Sequence, residues 1–298
     1  GLVLSKYKKY FNIYIVLVVF ALLSSLFYFL YSSYMAEKKQ NNMRVFFDYH
    51  VKQLNKSIDD EKFSSMAISI LLAQNESIQM CLLGQDRDEC VKNIENLTKT
   101  LGAASMYNNI KLHLYDKDLK SYVRSWDLNR YGDMIASGRF LVQESRRQNK
   151  PMVGIEAWYA GVHIRAVSNV MHEGKNIGSI EVLLNYDSLG NFYKTQGIDL
   201  FVILSKDKMP AHKSAPSDQI LSDYYIENLS SANLNIVGIL RDIDLKKYEF
   251  YVYKTHYFCV VPLLDASNTQ IGYYVLHVNT DEKERNISQN YLESEELF

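Results

Sequence analysis

HIRAVSNVMHEGKNIGSIEVLLNYD (163–187) and HYFCVVPLLDASNTQIGYYVLHVNTD (256–281) are two copies of one pattern. Each has an apolar run, a polar turn, Ile-Gly, a second apolar run and then an Asp that opens a helix. Ile177-Gly178 matches Ile271-Gly272 at an offset of 94, and Asn185 and Asp187 match Asn279 and Asp281 at the same offset. His163 matches His256, with one extra residue in the second turn. Alternation with β-branched and aromatic residues reads each copy as an antiparallel hairpin. A Gly beside the turn tolerates close backbone, and the aligned Asp is placed to cap the following helix. Two copies of one supersecondary unit predict two similar modules in tandem.

Outward from the first copy, IKLHLY (110–115), SYVRSW (121–126) and VGIEAWY (153–159) read as strands, and ASGRFLVQESRRQ within 133–149 as a helix. Around the second copy, GIDLFVILS (197–205), LNIVGIL (234–240) and YEFYVYK (248–254) read as strands. DSLGNFYKTQ (187–196) and SDQILSDYYIENL (217–229) read as helices. The predicted class is α+β with antiparallel sheets.

Upstream, apolar residues recur at helical spacing through Met43, Phe46, Phe47, Val51, Leu54, Ile58, Met66, Ile70 and Leu71, with no Pro or Gly between Met35 and Leu83. This predicts one long helix over about 34–74 and a second over about 86–103. Before it, YFNIYIVLVVFALLSSLFYFLY (10–31) carries no charge and is long enough to cross a hydrocarbon core. Tyr10, Tyr14, Tyr28, Tyr31 and Tyr34 sit near its ends as interfacial aromatics do. A cleavable signal is the rival, but its apolar core would be shorter and Tyr34 is too bulky for the cleavage motif. Lys6, Lys8 and Lys9 place the N-terminus in the cytoplasm, with Lys38 and Lys39 weakening the asymmetry. Gly1 in place of Met points to a start further upstream.

Cys81 and Cys90 bracket LLGQDRDE and are a disulfide candidate outside the cytoplasm, while Cys259 in YFCVV reads as a buried small hydrophobe. Lys+Arg 33 against Asp+Glu 34 leaves no basic excess to hold a nucleic acid. No CxxC, HExxH or GxSxG occurs, so neither metal, cofactor nor enzyme is expected. Glu284-Arg285-Asn286-Ile287-Ser288 fits an N-glycosylation acceptor, a short pattern on which nothing is built.

A membrane helix, a long helix and two modules each closing on an Ile-Gly hairpin resemble the double Cache sensor domains of bacterial chemoreceptors, sensor histidine kinases and diguanylate cyclases. IKLHLYDKDLKSYVRSW, YGDMIASGR and VGIEAWYAGVHIRAVSNVMHEGKNIGSIEV are similar to the variant called the double sensory domain of two-component kinases. The resemblance covers about residues 36–285. It implies two PAS-like sheets, a ligand in the membrane-distal one, and a long helix joining both to the membrane. Ser168 departs from it, standing where many such sequences carry Pro, and the last two strands of the second module lack charge. The expected organisation is a cytoplasmic 1–9, a span at 10–32, helices at 33–104, a distal module at 105–190, a proximal module at 191–285, and 286–298 leading towards a second span.

Candidate ligand-binding residues come from the first module. With Ala160-Gly161 as a two-residue turn, Trp158 faces His163 and Glu156 faces Arg165, so all four share one sheet face. Arg124 and Trp126 share a face, as do His113 and Tyr115. Asp133 and Arg139 come from the connecting segment. Arg forks suit carboxylates, Asp133 and Glu156 suit an ammonium, and the indoles exclude water. The bland alternatives are a cross-strand Glu156–Arg165 pair on a wet face, core tryptophans, satisfied histidines, and Asp133 as a turn residue. The expected function is a periplasmic sensor, anchored in the inner membrane, binding a small anionic or zwitterionic metabolite. A homodimer and a cytoplasmic signalling domain beyond this chain are the expected partners. The alternative is a docking module for a periplasmic binding protein.

Overall fold

The computed structural model describes residues 2–84, 86–104, 107, 109–134, 138–209 and 220–281. Two compact units divide them, one up to Tyr49 and one from His50 onward. Helix α1 (Leu2–Ala73) runs through both. It is the one helix among the described residues long and apolar enough to cross a membrane, with an 18-residue window of mean hydropathy 2.6, none of it buried in the protein. No Gly or Pro breaks the chain between that window and the expected stalk, so the two form one helix.

In the second unit α1 buries Leu54, Ile58 and Leu72 and leaves Phe63 and Leu71 exposed. Helix α2 (Glu76–Leu82) was not anticipated; Asn75 caps it by accepting from the Ser77 and Ile78 amides. Helix α3 (Arg87–Gly102) follows, and a Cys81–Cys90 disulfide ties it to α2.

The first sheet contains β1 (Lys111–Asp116), β2 (Ser121–Arg124), β3 (Met152–Trp158), β4 (Gly161–His172) and β5 (Lys175–Leu184) in the order β2-β1-β5-β4-β3. Helix α4 (Phe140–Gln148) connects β2 to β3. Leu112, Leu114, Ile164, Ala166, Ile180 and Val182 fill one face. Ser168 lies there too and bonds Ser69 of α1 at 2.8 Å. The opposite face carries His113, Tyr115, Glu156, His163, Arg165 and Glu181, with Leu141 and Val142 of α4 packed on Tyr115 and Val167.

After α5 (Asp187–Thr195), the second sheet contains β6 (Asp199–Ser205), β7 (Ile220–Leu221), β8 (Tyr224–Ile226), β9 (Phe250–Tyr253), β10 (His256–Leu264) and β11 (Gln270–Asn279). Its order is β7-β8-β6-β11-β10-β9, the first sheet's order with β7 added at one edge. The repeat is therefore structural. A Cβ on Gly178 of β5 would strike the Tyr115 carbonyl oxygen, and one on Gly272 of β11 the Ile203 carbonyl oxygen, in the equivalent neighbouring strand. The two modules also touch. Ala266, in the turn between β10 and β11, donates its N–H to the Ile155 carbonyl of β3 at 2.8 Å. A Cβ at Gly154 would lie 2.6 Å from the Ala266 Cβ.

Four local expectations are corrected. The segment 217–229 is not a helix where described: Leu221 pairs Tyr224 across a tight turn, with Ser222 at φ 51, a left-handed geometry that suits a hairpin. Residues 234–240 are not a strand, because Asn233 accepts from the Asn235 amide and starts a 3₁₀ turn leading into α6 (Val237–Arg241). Asp187 is not the cap of α5; the Asn185 side chain accepts the Asp187 amide. The β3–β4 turn is Tyr159-Ala160, since Trp158 pairs Gly161, whose φ of 97 falls at the first residue of β4. Glu156 thus faces His163, and Arg165 faces Gly154. The shift is two positions, so the four residues keep their common face. The glycosylation pattern at Asn286 and the segment 286–298 lie outside the described residues.

Candidate functional site

The polar face of the first sheet is held by one buried carboxylate. Glu181 sits at the middle of β5, fully buried, between β1 and β4. Tyr115 donates to its Oε2 at 2.7 Å, Arg139 Nη2 binds its Oε1, and Arg165 Nη1 approaches the same Oε1 at 3.3 Å. His113 Nδ1 lies 3.5 Å from Oε2. Arg139 also donates from Nε to Glu156 Oε2 at 2.6 Å, and the other Glu156 oxygen accepts the Leu141 amide at 3.3 Å, at the start of α4. One guanidinium thus ties β3, β5 and α4 together. Such a network is stable only if each buried charge is matched.

The match is unequal for the two guanidiniums. Burial alone would lower the Arg139 pKa, but Glu181, Tyr115 and Glu156 outweigh it and hold the charge firmly. Burial raises the Glu181 carboxyl, yet Arg139 and Arg165 pull it well below the usual carboxylate range. Arg165 goes the other way: burial and then Arg139 lower it, more than Glu181 and Glu156 restore. Its Nε donates to the Glu156 carbonyl at 3.2 Å, and its Nη2 has no hydrogen-bond partner although buried. His163 is held neutral, well below its ordinary value, by burial, then Lys111 and Arg165. Burial pushes His113 down to about 4. The Tyr115 hydroxyl is raised by burial.

Beside this network opens a cavity of about 260 Å³ lined by His113, Arg124, Trp126, Asp127, Arg130, Arg139, Trp158, Tyr159, Ala160 and Arg165. Four guanidiniums and one carboxylate therefore face it, so its wall favours a negative guest. Arg124 is fixed by a bidentate pair with Asp133, at 2.8 and 2.7 Å, and by the Arg130 carbonyl at 2.7 Å. The hydrogen bonds from Arg124 draw the Asp133 carboxyl below its ordinary value. Trp126 stands edge-on to His113 at 5.4 Å, and Arg139 lies 5.6 Å from the Trp158 ring.

Of the residues expected from sequence, Arg124, Trp126, Arg139, Trp158 and Arg165 line the cavity. Tyr115, Asp133, Glu156 and His163 stand behind that wall, bonded to other side chains: Tyr115 to Glu181, Asp133 to Arg124, Glu156 to Arg139, His163 to Lys111. Asp133 and Glu156 are thus committed to guanidiniums, contrary to the expected role of receiving an ammonium. Glu156 and Trp158 also border a crevice of about 350 Å³ shared with Asp207, Lys208 and Asp265 of the second module. Sequence reasoning missed Glu181. Its signal was a lone acid inside the apolar run SIEVLL of a central strand, where a charge survives only if paired. Among the described residues no group of three His, Cys, Asp or Glu side chains is placed to hold a metal ion.

A PAS-like sheet order repeated in tandem, behind a membrane-length helix, with a charged cavity on the first copy, defines a receptor sensor region. The chain belongs to the double Cache family described as the double sensory domain of two-component sensor kinase, whose pattern matches residues 48–282. Among solved structures it is similar to the sensor domain of the Vibrio cholerae histidine kinase DctB, at 16% identity and TM-score 0.46, over 80% of this chain and 99% of that one. It is also similar to the ligand-binding domain of the Campylobacter jejuni chemoreceptor Tlp3 in complex with 4-methylisoleucine, at 14% identity and TM-score 0.47, over 84% and 95%. No curated protein matches the chain in sequence.

Proposed function

We propose that the first module, as the membrane-distal one, binds a small carboxylate anion in the cavity walled by Arg124, Arg165, Trp126 and Trp158. The observation that carries this reading is Arg165, a buried guanidinium whose counter-ion is shared with Arg139 and whose Nη2 has no partner. An anion placed against that nitrogen supplies the missing acceptor and charge. An anion suits the site better than a zwitterion, because Glu156 and Asp133 are already paired and Asp127 is the one carboxylate on the wall. The chain then acts as the periplasmic region of a non-enzymatic, homodimeric inner-membrane receptor whose cytoplasmic signalling domain follows. Binding shifts the receptor only by the difference in anion affinity between its two states.

Thermal unfolding of the purified chain against mono- and dicarboxylates, amino acids and purines tests the proposal. A carboxylate raises the melting temperature of the wild type, and Arg165→Ala abolishes that shift. A shift from amino acids alone, or one that survives Arg165→Ala undiminished, removes the reading.

A further inference from the structure

Part of the wall of the anion cavity is a loop, residues 125–133, that leaves β2 and returns along its edge. It brings Trp126, Asp127 and Arg130 to the cavity. Both ends of the loop are fastened to the sheet. The Ser125 amide donates to the Leu112 carbonyl at 2.9 Å, and the Ser125 hydroxyl accepts the Leu112 amide at 3.0 Å. At the far end the Ser121 amide donates to the Asp133 carbonyl at 2.9 Å, and the Gly132 amide to the Ser121 carbonyl at 2.7 Å. Between the ends, Arg124 donates to the Arg130 carbonyl from the cavity side at 2.7 Å. The Arg130 guanidinium lies 4.9 Å from the ring of Tyr159, in the β3–β4 turn, which also lines the cavity.

The outer side of the loop is held by a residue that is not in the cavity wall. Arg87, the first residue of α3, donates from Nη2 to the Leu128 carbonyl at 2.7 Å. Its guanidinium carbon lies 3.7 Å from the centre of the Tyr131 ring. One planar group thus grips the loop twice, by a hydrogen bond and by stacking. Tyr131 is 56% exposed, so its ring serves this contact and not the core. The grip has a firm base. Cys90, about one turn along α3 from Arg87, is fully buried and bonded to Cys81 of α2. Leu82, next to Cys81, packs on β5, where a Cβ at Gly178 would meet its Cδ1 at 2.7 Å. Helix α3 also lies against β1 and β2. Arg87 is therefore set relative to the sheet independently of the loop it holds.

We propose that Arg87 is a positioning residue for the cavity: from the start of α3 it clasps the loop through Leu128 and Tyr131, keeps Trp126 and Arg130 in the wall, and so sets how tightly the cavity retains its guest. The guest rests on the anion reading above, whereas the clasp does not. Without Arg87 the ends of the loop stay fastened while its middle opens, taking one cation and one indole from the wall.

The test compares wild type, Arg87→Ala, Arg87→Lys, Tyr131→Ala and the double alanine variant, as the full chain in nanodiscs. Calorimetric titration with acetate and with malonate reads affinity. Acrylamide quenching reads the loop without any ligand, in a Trp158→Phe background that leaves Trp126 the sole indole of the chain. Arg87→Ala weakens carboxylate binding about tenfold, from the loss of one hydrogen bond and one cation–π contact. Tyr131→Ala weakens it about threefold, from the loss of the cation–π contact alone. The double variant is no weaker than Arg87→Ala, since the two side chains act as one clasp. Each alanine variant opens Trp126 to acrylamide and leaves the melting temperature of the ligand-free chain near the wild-type value. Arg87→Lys keeps the charge without the planar fork and recovers only part of the loss. The proposal is overturned by unchanged Trp126 quenching in Arg87→Ala, by full recovery in Arg87→Lys, or by additive losses in the double variant. If the wild type binds neither acid, quenching alone decides the clasp, and the wider carboxylate series decides the guest. Tyr131→Ala carries the quenching test if Arg87→Ala fails to fold.

Discussion

The two modules put opposite chemistry on the same face of the same sheet. His113 of β1 stands opposite Glu181 of β5, and the equivalent pair in the second module is Phe201 opposite Val275. Arg165 opposite Leu183 corresponds to Phe258 opposite His277, and Tyr115 corresponds to Ile203. In the second module the face is closed by Ile226, Leu240, Ile243 and Leu245, packed against Phe201, Phe258 and Val275. In the first it holds two buried acids, Glu156 and Glu181, and three buried guanidiniums, Arg124, Arg139 and Arg165, beside a cavity. One scaffold therefore accepts either filling, so the charged face is a property of a few side chains and not of the fold. The charged face is costly, since each ion depends on its partner. The apolar face gains stability from close packing.

The sharpest way to break this comparison is to remove the carboxylate at the centre of the charged face. Glu181→Ala leaves Arg139 and Arg165 buried beside Glu156 alone, with an expected loss of about 3–5 kcal/mol in denaturant unfolding. An added small carboxylate restores part of that loss. A loss below about 1 kcal/mol would mean the network is not the keystone of the face.

The next effect is in acid. The folded protein keeps His113 neutral down to about 4, whereas the unfolded chain protonates it near the ordinary 6.5. The unfolded state thus binds the extra proton as the pH falls. The stability tied to this residue is full above about 6.5, declines towards about 4 and is flat below, for a total of about 3 kcal/mol. His113→Phe, which copies Phe201 of the other module, should flatten that part of the stability-against-pH curve. If the slope between pH 6.5 and 4 is unchanged in the variant, burial of His113 is not its source.

The smallest effect belongs to the apolar face. Ile203→Val removes one methyl group at the position equivalent to Tyr115 and costs about 1 kcal/mol, with the carboxylate-induced melting shift untouched. A changed ligand shift would show that the second face takes part in binding.

Much of the fold was legible from period-two runs and from the Ile-Gly repeat, because the two glycines answer one steric demand: carbonyl oxygens of a neighbouring strand where a Cβ would sit. What sequence alone misjudged was local. Ser222 enters a left-handed turn that no helical periodicity reveals, and Asn233 starts a helical turn within a run rich in β-branched residues. Candidate site residues were legible as charges and indoles on alternating positions, and the shared face survived a register error because the error was even. Their pairing was not legible. Arg139 binds Glu156 and Glu181 across three elements, and such partners are fixed by tertiary contact alone.

The contact between Ala266 and β3 leaves no slack beside Gly154. The neighbouring residue on that strand is Ile155, and the next is Glu156, whose carboxylate is bound to Arg139. Any sideways travel of β3 when the charge balance around Arg139 changes must therefore push on the loop at Ala266. That loop joins β10 to β11. A one-methyl wedge at position 154 would collide with Ala266 and force this joint open.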